Sequence, residues 1–387
     1  MSVQKVSKMM IESLSSSKLT GALPAVDGSA LLNVPSFIKN ANDPAIDSNP
    51  SSGLGTIWVN TTSGEMFSLT DATTDANVWT NIGDGSGDVE PFSFQGTNSG
   101  YMLGGYQWNT HYHSEIQKFS FASNTGHTSP ANMVRAGYNG GAGRSKTEGY
   151  YFGGHNGSVT TTEFNKFTFG SESTSSSLSD LVLGNYSIGT HSVADYIYTT
   201  QSIEGSETSN NIIERVSTAS DTASGDIGDM VDPTLGGPHT QSATHGYIVG
   251  GYRHQSPSGN RSRIEKYAFA SSVTSATVAD AVDPVPQGGG TSSTTDGIVQ
   301  YGNLVKKHQF ATDSDAVSHG SLVQDLDYRS GQSGTTDGYF SGGRRGVTNQ
   351  GSTGFPDIEK VNYASNTTAT DHGDLPHGRY GPKGTQY

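Results

Sequence analysis

The amino-acid sequence predicts an all-β fold, a six-bladed β-propeller, and three observations carry that prediction. Glycine supplies 51 of 387 residues, well above the ordinary share of about 7%. The 18 Tyr, 14 Phe and 3 Trp recur at regular intervals, which separates the chain from a disordered polar polymer. A two-part motif repeats six times between residue 92 and the C-terminus, the signature of a repeat architecture.

The first part of the motif reads GYMLGG (100–105), GYYFGG (149–154), DYIYTT (195–200), GYIVGG (246–251), GIVQYG (297–302) and GYFSGG (338–343). The starts are spaced by about 48 residues. The second part reads EIQKFSFAS (115–123), EFNKFTFGS (163–171), IIERVSTAS (212–220), IEKYAFASS (264–272), LVKKHQFAT (304–312) and IEKVNYASN (358–366). The third and fifth units lack the Gly-Gly pair. Each unit reads as four strands. A Gly/Ser-rich strand such as Gly141-Ala142-Gly143-Arg144-Ser145 comes first, and its small residues suit a crowded axis. A turn leads to the apolar strand that ends at Gly-Gly. A loop, a third strand and a polar fourth strand complete the unit. Two segments compete for the closing position beside Tyr101-Met102-Leu103: Phe92-Ser93-Phe94-Gln95-Gly96, and the C-terminal stretch Arg379 to Gln386.

These units resemble the kelch repeat. The last one carries the likeness most clearly, with Gly342-Gly343, Ile358-Glu359-Lys360 and Asp374-Leu375-Pro376-His377-Gly378-Arg379; Arg329 and Arg135 stand at comparable points. The Trp that usually follows the third kelch strand is missing throughout, so the repeat is kelch-like.

Upstream, residues 1–52 read as a short helix followed by an extended segment. Val3, Val6, Met10 and Leu14 have helical spacing over residues 1–16, too short to stand alone. Residues 53–83 read as a small β-hairpin module with strands at 56–60, 65–69 and 78–82, and residues 84–91 as a linker. The stretch KLTGALPAVDGSAL (18–31) resembles bacteriophage tail-fibre segments. GTIWVNTTSGEMFSLTDATTDANVWTNIG (55–83) is similar to a module of marine and cyanobacterial phage structural proteins. The resemblance implies a virion protein, a tail fibre or another exterior appendage. It would be a homotrimer and would join other virion proteins through residues 1–52.

Composition narrows the function. A net charge of −14 with no basic cluster argues against nucleic-acid binding. The absence of cysteine excludes disulfides and thiolate metal sites. No apolar run is long enough to cross a membrane as a helix, so no membrane insertion is expected. Neither a signal-peptide pattern at the N-terminus nor a propeller-enzyme motif is present. A galactose-oxidase-like site needs a Tyr–Cys thioether, and sialidase-type Ser-x-Asp-x-Gly-x-Thr-Trp boxes are missing. The only loose nucleophile-elbow match, at 83–87, lies in the linker. The expectation is a non-enzyme with no cofactor and no metal.

Candidate binding residues come from the contrast between short, similar turns on one face and long, dissimilar loops on the other. The long loops carry Tyr106, Trp108, His111, Tyr112, His113, His155, Tyr252, Arg253, His254, Arg344 and Arg345, with Arg261 and Arg263 beside them. Aromatic residues and Arg are the types favoured at binding hot spots. The plain alternative is solvated loop residues. His111-x-His113 could place two imidazoles on a metal, but no third ligand is near, and a solvated pair is the simpler reading. The expected role is host attachment, with the propeller recognising a host-surface glycan or protein. The alternatives are a purely structural virion knob or connector, and a tailspike-type polysaccharide-degrading enzyme.

Overall fold

The computed structural model describes residues 37–83, 85–108, 111–184, 187–201, 211–253, 256–345 and 354–387. The helix expected at 1–16, and all of residues 1–36, lie outside them. Among the described residues every regular element is a strand. Two compact units form, one ending at Pro91 and the other spanning Phe92–Tyr387.

The first unit is a four-stranded sheet of Phe37–Asn40, Ile57–Asn60, Met66–Asp71 and Val78–Asn81. Its alternating apolar residues Trp58, Phe67, Leu69 and Trp79 form the core. Trp58 and Trp79 meet edge-on at 5.6 Å. The sheet reaches further upstream than hydropathy suggests. Phe37–Asn40 pairs in parallel with Ile57–Asn60. The polar stretch after it is held by hydrogen bonds: Trp58 Nε1 donates to Asn42 O (2.8 Å), and the Asn77 amide donates to Ile46 O (2.9 Å) and Asn49 Oδ1 (2.7 Å). Such a segment contributes acceptors rather than apolar area, so its pattern resembles a loop. Downstream, Val89 bridges Trp79 and Asp88 Oδ1 accepts from Asn81 N–H (2.8 Å), so this end of the linker is tied to the sheet.

Among the described residues the second unit contains six main sheets, each built from four antiparallel strands, with one two-residue strand added in parallel to the third, and two short hairpins, Tyr106–Gln107 with His111–Tyr112 and Tyr252–Arg253 with Gly259–Asn260. Sheet 2 is typical: Gly141–Arg144, Glu148–Phe152, Glu163–Thr168 and Thr174–Asp180. The innermost strands of sheets 1 to 6 are Lys383–Gln386, Gly141–Arg144, Gly189–Ser192, His239–Gln241, Gly289–Ser292 and Ser330–Ser333. Each packs on the next in that order, and Ser330–Ser333 packs on Lys383–Gln386. Glycine is required where they cross. A Cβ on Gly290 would meet His239 O, one on Gly331 would meet Gly290 O, and one on Gly384 would meet Gly331 O.

The C-terminus supplies the first strand of sheet 1. Lys383–Gln386 pairs antiparallel with Ser99–Leu103. Phe92–Gly96 takes a different place and crosses the end of the axis. Gln95 Nε2 donates to Ser292 O (3.2 Å) and Gly334 O (2.6 Å), Gln386 Nε2 donates to Phe94 O (2.6 Å), and Arg144 Nη1 donates to Gln95 O (3.1 Å).

A buried polar residue recurs on the third strand: Gln117, Asn165, Glu214, Glu265 and Glu359. In three sheets it caps the segment that enters the sheet. Val182 N–H donates to Glu214 (3.0 Å), Val231 and Asp232 N–H to Glu265 (3.0 and 2.9 Å), and Gln324 N–H to Glu359 (3.1 Å). Arg329 adds a buried ion pair to Glu359 at 2.6 Å. The repeated Glu is thus structural, satisfying backbone donors away from water.

Candidate functional site

The Gly-Gly pair sets the geometry of the variable face. All eight glycines of the four intact pairs have positive φ, from 56° at Gly153 to 114° at Gly343. This region is open to glycine at little cost. The pair ends the second strand and swings the next residue onto the neighbouring inter-sheet segment. Tyr106 bridges Tyr380, His155 bridges Tyr138, Tyr252 bridges Leu235, and Arg344 bridges Asp327. Each bridge is two backbone hydrogen bonds of 2.8–3.1 Å. Four of the candidate residues therefore occupy equivalent positions, one per intact Gly-Gly unit.

Around three of them the side chains merge into one patch. Tyr106 lies 4.6 Å from Tyr112, centroid to centroid, across the short hairpin of Tyr106–Gln107 and His111–Tyr112. Trp108 meets Tyr106 edge-on at 6.2 Å. Tyr138 contacts Tyr106 (5.8 Å), Tyr112 (5.7 Å) and His155 (5.9 Å). Tyr380 stands edge-on to Tyr106 at 5.4 Å and to Tyr328 at 6.0 Å. The Arg344 guanidinium covers Tyr328 and Tyr380 at 4.4 and 4.6 Å. Apart from the buried Tyr380, these side chains are half-buried. They are neither core nor freely solvated. Burial raises the Tyr112, Tyr328 and Tyr380 hydroxyls, the last to about 12, so all three stay protonated donors at neutral pH.

The other candidates divide. Arg253, Arg261 and Arg263 converge on the buried Asp232 carboxylate at 2.9, 3.1 and 3.5 Å. Arg345 is exposed beside Phe355 and donates to Gln324 Oε1 (3.3 Å). His254 lies outside the described residues. His111 is exposed, but His113 is 2% exposed and neither of its ring nitrogens has a hydrogen-bond partner. Its pKa is lowered to about 4, first by desolvation and then by the Arg379 charge. The expected solvated pair is thus half wrong: the two rings lie on the same side, 4.2 Å apart, but His111 is at the exposed end of the hairpin strand while His113 is covered, with Arg379 and Glu115 beside it. Among the described residues no group of three or more His, Asp or Glu is placed to hold a metal.

The chain is similar in structure to YjhT. The match has 12% sequence identity and a TM-score of 0.56, and covers 72% of this chain and 99% of YjhT. At that identity the likeness speaks to the fold alone, and it supports a propeller-like all-β architecture. No protein-family model and no curated protein matches the chain.

Sequence reasoning missed Tyr138, Tyr328 and Tyr380. All three lie in segments between sheets rather than in the long loops. A signal was present: each Tyr lies two or three residues before an inner strand, as in Tyr138-Asn139-Gly140-Gly141 and Tyr328-Arg329-Ser330-Gly331.

The patch offers flat apolar ring faces, phenolic donors and one guanidinium. That combination stacks on the C–H faces of sugars or on planar groups while donating hydrogen bonds to hydroxyls or carboxylates.

Proposed function

We propose that the chain is a phage virion appendage protein whose Phe92–Tyr387 unit is a six-bladed kelch-like β-propeller that recognises a host-surface glycan. The observation that carries this reading is the half-buried patch of Tyr106, Trp108, Tyr112, Tyr138, His155 and Tyr328, with the Arg344 guanidinium over Tyr328 at its edge. Half-buried aromatic residues on a rigid scaffold bind at little entropic cost, because their rotamers are already fixed. The virion role rests on the resemblance of residues 18–31 and 55–83 to phage fibre segments. On this reading residues 1–52 attach to other virion proteins, the assembly is a homotrimer, and the protein is not an enzyme.

The full-length protein should bind bacterial surface polysaccharides on a glycan array and block adsorption of its phage. Tyr106→Ala with Tyr112→Ala should weaken binding at least about tenfold, since truncating a well-packed aromatic anchor of a binding site typically costs about 2 kcal/mol or more. Binding that survives the double variant would sink the patch as the receptor site. An absence of any binding, together with particles that fail to assemble without the protein, would favour the connector reading.

A further inference from the structure

The six innermost strands enclose an axial cavity of about 110 Å³. Phe94 lines one end, where the Phe92–Gly96 segment crosses. Near the other end, main-chain hydrogen bonds run around the mouth: Ser187 N–H to Asn139 O, Asn139 N–H to Gly381 O (2.7 Å), Gly381 N–H to Tyr328 O (3.1 Å) and Tyr328 N–H to Gln287 O (3.0 Å). A second small space behind this mouth shares Lys383 and Arg329 with the main cavity.

The charges are unbalanced. Among the described residues, no Asp or Glu lines either space. Arg329 is neutralised by Glu359 at 2.6 Å and donates to Phe340 O (3.2 Å). Arg144, on the inner strand of sheet 2, donates to Gln95 O and Ser145 O. His191 is held neutral: Nε2 donates to Tyr247 O (3.2 Å), Nδ1 accepts from Tyr267 Oη (2.7 Å), and burial lowers its pKa to about 4. His239 bonds Thr200 Oγ1 (2.8 Å) and is pushed well below its ordinary value by burial, with His191 and Lys383 adding to the effect. That leaves the Lys383 ammonium. It borders both spaces, and desolvation alone lowers its pKa to about 8, with no carboxylate opposing.

We propose that the axial cavity is an anion site in which a small oxyanion of phosphate size pairs with Lys383 Nζ. The volume holds several waters' worth of space, since one water needs roughly 10–15 Å³ by this measure. Further donors come from the inner strands. Each pairs along one edge only; on the other edge the Arg144, Gln241 and Ser292 N–H groups donate to Ser192 Oγ, Ser292 Oγ and Ser333 Oγ, which leaves those three hydroxyl hydrogens to donate. Ser and Thr hydroxyls line the wall among them. A half-buried, desolvated cation without a partner is costly, and an anion that fits reduces that cost.

The test uses the full-length protein and inorganic phosphate at constant ionic strength. At pH 7 the melting temperature of the wild type should rise with each tenfold increase in phosphate, as binding to the native state alone requires. The rise should fade as pH passes through about 8, where free Lys383 loses its proton. Lys383→Met should melt higher than wild type without phosphate and show no phosphate response; Lys383→Arg should keep the response. Arg261→Gln, which disturbs the separate cluster on Asp232, should leave it unchanged. A wild type indifferent to phosphate overturns the proposal. So does a Lys383→Met protein with an undiminished response. Should Lys383→Met fail to fold, the pH dependence and Lys383→Arg still decide.

Discussion

Sheets 1, 2, 4 and 6 differ from sheets 3 and 5 by two residues per unit, and the difference accounts for the shape of the variable face. Where Gly-Gly is present, the second strand stops after five residues, as in Ser99–Leu103 and Asp337–Ser341. The next residue then turns into a bridge with the inter-sheet segment. Where the pair has become Thr199-Thr200 or Tyr301-Gly302, the strand runs six residues, Tyr196–Gln201 and Asp296–Tyr301. Thr200 then bonds sideways to His239 rather than ending the strand (2.8 Å). Two glycines thus decide whether a unit presents a side chain to the face or extends its own sheet. The aromatic patch is one-sided because intact units 6, 1 and 2 are consecutive around the axis.

Three experiments sharpen this comparison. The largest effect is expected within sheet 6. Arg329→Ala strips the buried Glu359 of its partner and should cost about 3–5 kcal/mol in urea unfolding. The equivalent loss in sheet 2, Arg135→Ala, removes a pair whose Arg is 44% exposed, and should stay within about 1 kcal/mol. Equal losses would show that burial does not separate these units.

Next is the glycine itself. Gly343→Val forces a β-branched residue to φ 114°, with its Cβ 2.8 Å from Arg329 Cγ and 2.9 Å from Asp327 O. It should cost about 3 kcal/mol. Thr200→Ala, at the matching place in sheet 3, should cost about 1 kcal/mol through the lost bond to His239. A tolerated Gly343→Val would break the account of the bridges.

The most gradual effect is acid sensitivity, which adds up over buried histidines of sheets 3 to 5 and His113 of sheet 1. Burial holds His191 and His308 at about 4 and His239 well below its ordinary value, against about 6.5 in an unfolded chain. Above pH 6.5 both states are neutral and nothing changes. As pH falls from about 6.5 toward 4, the unfolded chain takes up protons first and stability drops. The urea midpoint should fall across that window, and His191→Gln should flatten the fall. A midpoint independent of pH there would contradict neutral burial of these rings.

Much of the strand content was legible because repeat and alternation are local properties. Tyr150-Tyr151-Phe152 and Glu163 to Phe169 could be placed from their neighbours alone. Part of the site was legible for the same reason, since Tyr106, His155, Tyr252 and Arg344 all follow a Gly-Gly pair. The convergence of Tyr138, Tyr328 and Tyr380 was not, because those residues come from three inter-sheet segments far apart in the chain. Burial of His113 was not either, since its surroundings include Arg379, distant in sequence.

By itself, the amino-acid sequence determined the all-β character of the described residues, the six repeated units and the positions where glycine must break a strand. Steric freedom at a residue and the period of its neighbours need no tertiary partner. Tertiary structure decided which of two similar segments, Phe92–Gly96 or Lys383–Gln386, pairs with Ser99–Leu103. Both carry small and polar residues, and only the C-terminal one has an inner-strand neighbour on each side for its glycine to pack against. It also decided that Lys383 borders a cavity lined by no carboxylate among the described residues, because the groups around it come from six sheets that meet only at the axis.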